Sequence, residues 1–270
     1  MKNISRTFLR LGFTAMLLSA TLSIIGLLWK GLYQDTNVLI LKGWWFNDWV
    51  TLLLAVPLFA LALFLSNKGS IRGFALLMGM MMFTVYNYSF YLFGAAFNAA
   101  FLGYVAVFVV GLFGLFAGTL TLLTLLRSDH FPSIIVSKSI SSYMVLTAVF
   151  LSIGWVGQWL DFVITGNKPQ LMEQFEASNH LVAALDMTFV VPWFLFGAFL
   201  LWKQCISGII VSFMVHVKTT IYNVILLWSS IAQYLDGVEG AEAFIPLWIF
   251  FLIGSTASLV GLLRPLNKPN

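Results

Sequence analysis

The sequence predicts an all-α integral membrane protein of eight transmembrane helices. Three observations carry that prediction. Of 270 residues, 60% are hydrophobic and only 9% are charged, whereas soluble domains are about a quarter charged. The apolar residues fall into runs near the ~20 residues that a helical crossing needs. Runs such as Leu52–Leu65 and Tyr104–Leu126 do not alternate apolar with polar, which excludes the period-2 pattern of a membrane barrel and leaves helices.

Taken in order, the spans lie near residues 7–30, 48–66, 71–93, 101–127, 138–164, 179–202, 205–233 and 243–263. The first follows Lys2, Arg6 and Arg10 as a signal peptide would. Its apolar run is longer than a cleaved segment and lacks Ala-x-Ala, so it reads as a retained helix. Asn67-Lys68-Gly69-Ser70 separates the second and third spans, and Asp129, His130 and Pro132 separate the fourth and fifth. Gly166-Asn167-Lys168-Pro169 and Asp236-Gly237 close the fifth and seventh. The segment Gly43-Trp44-Trp45-Phe46-Asn47-Asp48-Trp49 reads as an aromatic loop anchoring the second helix at the interface.

Charge orients this ladder. With the N-terminus in the cytoplasm, Lys2, Arg6, Arg10, Lys68, Arg72, Arg127, Lys138, Lys203, Arg264 and Lys268 are cytoplasmic. Only Lys30, Lys42 and Lys168 are outside. Ten basic residues against three predict both termini inside a bacterial cytoplasmic (inner) membrane. The acids, Asp35, Asp48, Asp161, Glu173, Glu176, Asp236, Glu239 and Glu242, fall outside and would give the outer mouth a potential that favours cations.

The chain reads as a tandem, parallel 4+4 repeat, with halves at 1–128 and 129–270 in one membrane domain. A shift of 135 residues lays Val56-Pro57 on Val191-Pro192, Lys68 on Lys203 and Gly73 on Gly208. Slightly larger shifts lay Tyr86-Asn87 on Tyr222-Asn223 and Leu125-Leu126-Arg127 on Leu262-Leu263-Arg264. Parallel repeats of this kind are common in transporters, with substrate between the halves.

Two charges stand inside the second half, Asp186 in the sixth span and Lys218 in the seventh, each 16 residues from Trp202. If the helices turn tightly there, both charges sit at one depth. At a shift of 135 they align with Thr51 and Phe83, so the first half carries no counterpart at those positions. A charge in hydrocarbon is costly and marks a site by default. Asp186 and Lys218 therefore predict the floor of an outward-facing polar pocket. Its candidate walls are Tyr86, Asn87 and Tyr91 on the third helix, Gln158 and Asp161 on the fifth, and His216 and Asn223 on the seventh. Each has a plain structural alternative, since Asn and Gln also bond helices together and Tyr also belts the interface.

No phosphate-binding glycine motif, nucleophile elbow or metal-ligand spacing occurs. The single cysteine, Cys205, allows no internal disulfide. No loop is long enough for a soluble domain. The sequence thus implies no cofactor, no metal and no nucleic-acid partner. The expected partners are the lipid bilayer and a small-molecule or cation ligand, with a homo-oligomer compatible. Binding or transport of a small solute or ion is favoured over a non-transporting sensor or assembly factor. An intramembrane enzyme on a lipid-type substrate comes third, having only Asp186, His216 and Lys218 for chemistry.

Overall fold

The structure is a computed structural model that describes residues 2–238 and 240–267. Glu239 and Lys268, which the loop-charge argument uses, lie outside the described residues. Helix accounts for 84% of the chain, with no strand among the described residues. Eight helices are long and apolar enough to cross a membrane. They are α1 (Lys2–Leu28), α2 (Val38–Asn67), α3 (Ile71–Gly94), α4 (Phe101–Leu125), α5 (Ile134–Thr165), α6 (Leu181–Trp202), α7 (Ile206–Leu235) and α8 (Ala241–Leu263). Large apolar side chains such as Phe113, Phe116, Ile153 and Phe199 stay exposed around the bundle, as helices in lipid require. The chain is a multi-pass membrane protein.

α3 and α7 form the centre. In each, 83% of the apolar window is buried, against 17–44% in the other six. Lipid gives helices little hydrophobic reason to associate, so small residues that permit close approach supply the packing. Gly79 of α3 lies so close to Val217 of α7 that a Cβ would overlap it. Gly111, Gly114 and Gly118 of α4 form a seam that receives Val85, Met81 and Met78 of α3. Around this centre α2 and α4 flank α3, while α6 and α8 flank α7. The outer helices differ. α1 packs broadly on α2 and α4, but α5 packs on α6 and barely meets α8. From Ile153 to Thr165 no residue of α5 is buried.

Of the three helices that carry a proline, α2, α6 and α8, the first two answer it the same way. Pro57 and Pro192 lack the N–H that the preceding turn needs, and each is preceded by one π-helical turn, Thr51–Ala55 and Asp186–Val190. The Val56 N–H reaches back to the Thr51 carbonyl, and the Val191 N–H to the Asp186 carbonyl. Twelve residues later both helices end alike. Gly69 (φ +78°) and Gln204 (φ +54°) take left-handed backbone, which lets Ser70 N–H donate to Leu65 O at 3.1 Å and Cys205 N–H to Leu200 O at 2.9 Å.

The start of α2 corrects the expected span. Residues 43–49 are helical, and the helix begins at Val38, where the Asn37 side chain accepts from the Leu39 and Ile40 N–H groups at 2.9 and 3.3 Å. Asp48 is accordingly not a solvated outer acid. It is 2% exposed and accepts from Tyr33 OH at 2.5 Å and Tyr91 OH at 2.9 Å. Asn47 and Asp48, which break the apolar run, are matched by polar partners from α3 and the α1–α2 loop and lie inside the bundle.

The bundle has two distinct ends. At one, Arg72 donates to the Leu263 carbonyl at 2.9 Å, close to the C-terminal end of α8. At the other, Asn37 donates to the Gln174 carbonyl at 2.9 Å and Lys42 pairs with Asp236.

Candidate functional site

Asp186 opens the π-helical turn that Pro192 forces on α6, so the same local geometry that accommodates the proline positions the carboxylate. The side chain is 9% exposed. Tyr86 OH of α3 donates to its Oδ1 at 2.7 Å, and Trp155 Nε1 of α5 donates to its Oδ2 at 3.1 Å. Such charge-assisted bonds are about twice as strong as neutral ones and offset part of the cost of burying the carboxylate.

Lys218 of α7 is 5% exposed. It makes no direct ion pair with Asp186, and no oxygen acceptor for its ammonium occurs among the described residues. Its Nζ instead lies 3.4 Å from the centre of the Tyr86 ring and 5.6 Å from that of Tyr222. The negative face of an aromatic ring attracts an ammonium, most strongly where water is excluded. Tyr86 thus stands between the two charges, with its face to the cation and its hydroxyl to the anion. Tyr222 holds the arrangement, edge-on to Tyr86 with centroids 4.8 Å apart and stacked on Phe90 at 5.4 Å.

These groups form the floor of a cavity of about 520 Å³ enclosed by α5, α6, α7 and α8, with α3 behind. Asp186, Lys218, Tyr86 and Asn223 lie at the floor, and Gln158 and Asp161 lie toward the end formed by residues 168–175. Most of the wall between is apolar and aromatic, including Leu151, Trp155, Phe244, Trp248 and Phe251. A short helix, Gln170–Gln174, borders the mouth. The cavity exists because α5 leaves the bundle and does not close on α8.

A second polar link runs along α5. His180 caps α6, with Nδ1 accepting from the Ala183 N–H at 3.4 Å, and its Nε2 lies 3.2 Å from Gln158 Oε1. With Nδ1 committed as an acceptor, the neutral ring carries its proton on Nε2 and donates to Gln158. Partial burial lowers the His180 pKa below the ordinary histidine value, opposed by a backbone hydrogen bond and the distant charge of Asp186.

The sequence-predicted residues divide among three places. Asp186, Lys218, Tyr86, Gln158, Asp161 and Asn223 border the cavity. Asn87 and Tyr91 do not. Asn87 Oδ1 accepts from Asn47 Nδ2 at 2.8 Å, and Tyr91 bonds Asp48, so both face the first half. α3 is central, and its two faces serve different neighbours. His216 is fully buried between the rings of Tyr143 and Phe194, with centroids 5.8 and 5.6 Å away and no hydrogen-bond partner among the described residues. It faces away from Lys218, as the helical angle between positions 216 and 218 dictates.

Two partners escaped sequence reasoning. Trp155 reads as one more interfacial tryptophan, although its i, i+3 spacing to Gln158 placed both on one face. Tyr222 was legible as the i+4 neighbour of Lys218. No family model matches the chain, and neither a curated protein nor a solved structure matches it.

Proposed function

We propose that this protein binds a small molecule in the α5–α8 cavity and carries it across the membrane. The observation that carries the reading is the cavity of about 520 Å³ whose floor holds an acid and a base kept apart by the Tyr86 ring. Packing alone would be served as well by apolar side chains, without desolvating either charge. A pocket that is mostly apolar with a few convergent polar groups is the usual form of a ligand site.

The loop charges orient the site. With basic residues concentrated at the end that holds Lys68, Arg72, Arg127, Lys138, Lys203 and Arg264, both termini are cytoplasmic and the cavity mouth at 168–175 faces outward. The membrane is the bacterial inner membrane. The matching π turns, prolines and left-handed turns of α2 and α6 support a duplication of two four-helix halves. In that duplication the first half kept a closed bundle and the second opened a cavity. A sensor or assembly factor would have no need of this opening, and of the three residues an enzyme would draw on, Asp186, His216 and Lys218, the histidine lies off the cavity.

A cysteine scan of α6 and α7 in a Cys205→Ser background tests the reading, with a membrane-impermeant thiol reagent added from outside. Labelling at positions 222, 226 and 229 of α7, protected by a bound solute, is the expected result. Labelling confined to residues 230–235 would overturn it.

A further inference from the structure

We infer that the cavity takes an uncharged amphiphile from the lipid phase, one whose head group presents oxygen acceptors, and that it enters sideways between α5 and α8. The inference rests on the reading that this cavity is the binding site, and adds the class of ligand and its route.

The first argument is an unmet valence. An ammonium has three N–H donors and no acceptor of its own. Lys218 is 95% buried by its 5% exposure, borders the cavity, and meets ring faces but no oxygen among the described residues. Buried donors in folded proteins find acceptors. The remaining direction for the Lys218 N–H groups is the cavity, so the ligand supplies the oxygen.

The second argument is charge balance. Asp186 lies at the hydroxyl end of the Tyr86 ring, with one donor on each of its oxygens. It is the counter-charge of Lys218 without being its hydrogen-bond acceptor. An anionic ligand would leave this desolvated group with a net negative charge, which low-dielectric surroundings penalise. A carbonyl, ester or hydroxyl oxygen satisfies the N–H groups and keeps the cluster neutral. An uncharged head also reaches the depth of Lys218, about 18 Å along α7 from its Ile206 end, without dragging a charge through hydrocarbon.

The third argument is the route. α5 has no buried residue between Ile153 and Thr165, and Phe244 and Phe250 of α8 are exposed. The gap between them is flanked by apolar side chains at membrane depth, and Trp155, Trp248 and Phe251 continue that apolar surface inward to the floor. A water-soluble solute gains nothing from such a passage, whereas an acyl chain fits it.

The test uses the full chain in lipid nanodiscs and a monoacylglycerol carrying a diazirine and an alkyne in its acyl chain. After irradiation, labelled residues are mapped by mass spectrometry. Adducts should concentrate on α5 and α8 around Trp155, Trp248 and Phe251. Unlabelled monoolein should suppress them at least ten-fold more effectively than oleate or lysophosphatidylglycerol. Paired replacement, Asp186→Asn with Lys218→Met, preserves net charge and should abolish the suppression by monoolein. Three results would each overturn the inference: adducts spread evenly over the lipid-facing surface, including Phe113 and Phe116; oleate competing best, which would mean an anionic head; or competition surviving the paired replacement. Protection of thiols at 226 and 229 by a water-soluble solute, with no monoolein competition, would sink this inference and leave the binding site standing. No thiol access and no focused adducts would sink both.

Discussion

The ammonium of Lys218 lies 3.4 Å from the centre of the Tyr86 ring, and the hydroxyl of that ring is bonded to Asp186 at 2.7 Å. One side chain therefore serves both charges through different parts of itself, and substitution at Tyr86 can separate the parts. Tyr86→Phe keeps the ring face and deletes the donor. It should cost about 1–3 kcal/mol, the usual loss for a buried hydrogen bond to a charged group. Tyr86→Leu deletes the ring face as well and should cost about 2 kcal/mol more, the strength of a desolvated cation–π contact. Unfolding in detergent, followed by tryptophan fluorescence, measures both. Equal costs for the two variants would mean that the ring contact with Lys218 contributes nothing.

Asp186 and Lys218 should also be coupled energetically, although no direct ion pair joins them. Asp186→Asn leaves a buried ammonium without its counter-charge and should destabilise by about 3–5 kcal/mol. Combining it with Lys218→Met should restore most of that loss. A double-mutant cycle reads the coupling. If the double variant is no more stable than Asp186→Asn alone, the two charges act independently and Tyr86 does not connect them.

Gly26 offers a steric test of the first half. A Cβ there would overlap the Asp48 carboxylate and stand 2.5 Å from the Tyr33 hydroxyl, so Gly26→Ala has to disturb the bonds that Asp48 accepts. The expected cost is about 1–3 kcal/mol, as for overpacking elsewhere. Gly43→Ala and Gly154→Ala, both helical with nothing within 4 Å of the added atom, should be neutral or stabilising by up to about 1 kcal/mol from helix propensity. Thermal melts of the three variants compare them directly. A neutral Gly26→Ala would mean that the Asp48 cluster yields without loss.

Asp48 also marks where sequence reading stopped. Seven spans were legible within a few residues because hydropathy and breakers define them locally. The start of α2 was not, because Lys42, Gly43, Asn47 and Asp48 interrupt the apolar run exactly as a loop would. What buries Asn47 and Asp48 is supplied from elsewhere: Tyr33, Tyr91 and Asn87 provide the matching polar groups, and no local pattern reveals such matches. Asp186 and Lys218 stood out for the opposite reason, being isolated charges in long apolar stretches. Their meeting place at Tyr86 was legible only as a residue type, since the aromatic face and the hydroxyl act on different helices. The gap between α5 and α8 had no signature at all. The C-terminal half of α5 is as apolar as a packed helix, and only its lack of buried residues distinguishes it.

His180 gives a pH dependence with a definite sign. The neutral ring has two roles, accepting from the Ala183 N–H at the start of α6 and donating to Gln158. Protonation removes the first, because an imidazolium has no acceptor nitrogen. Burial places its folded-state pKa below the ordinary value of 6.5, so the unfolded chain binds the proton first as pH falls. Stability is then fully present above about pH 6.5 and declines as pH drops from there towards the folded pKa. His180→Asn keeps a side-chain acceptor at the cap and cannot titrate. The melting temperature of the parent chain should fall more between pH 7.5 and pH 5 than that of His180→Asn, measured in the same detergent. A parallel fall in both proteins would show that the ring is not held neutral by its position, and a steeper fall in the variant would reverse the sign argued here.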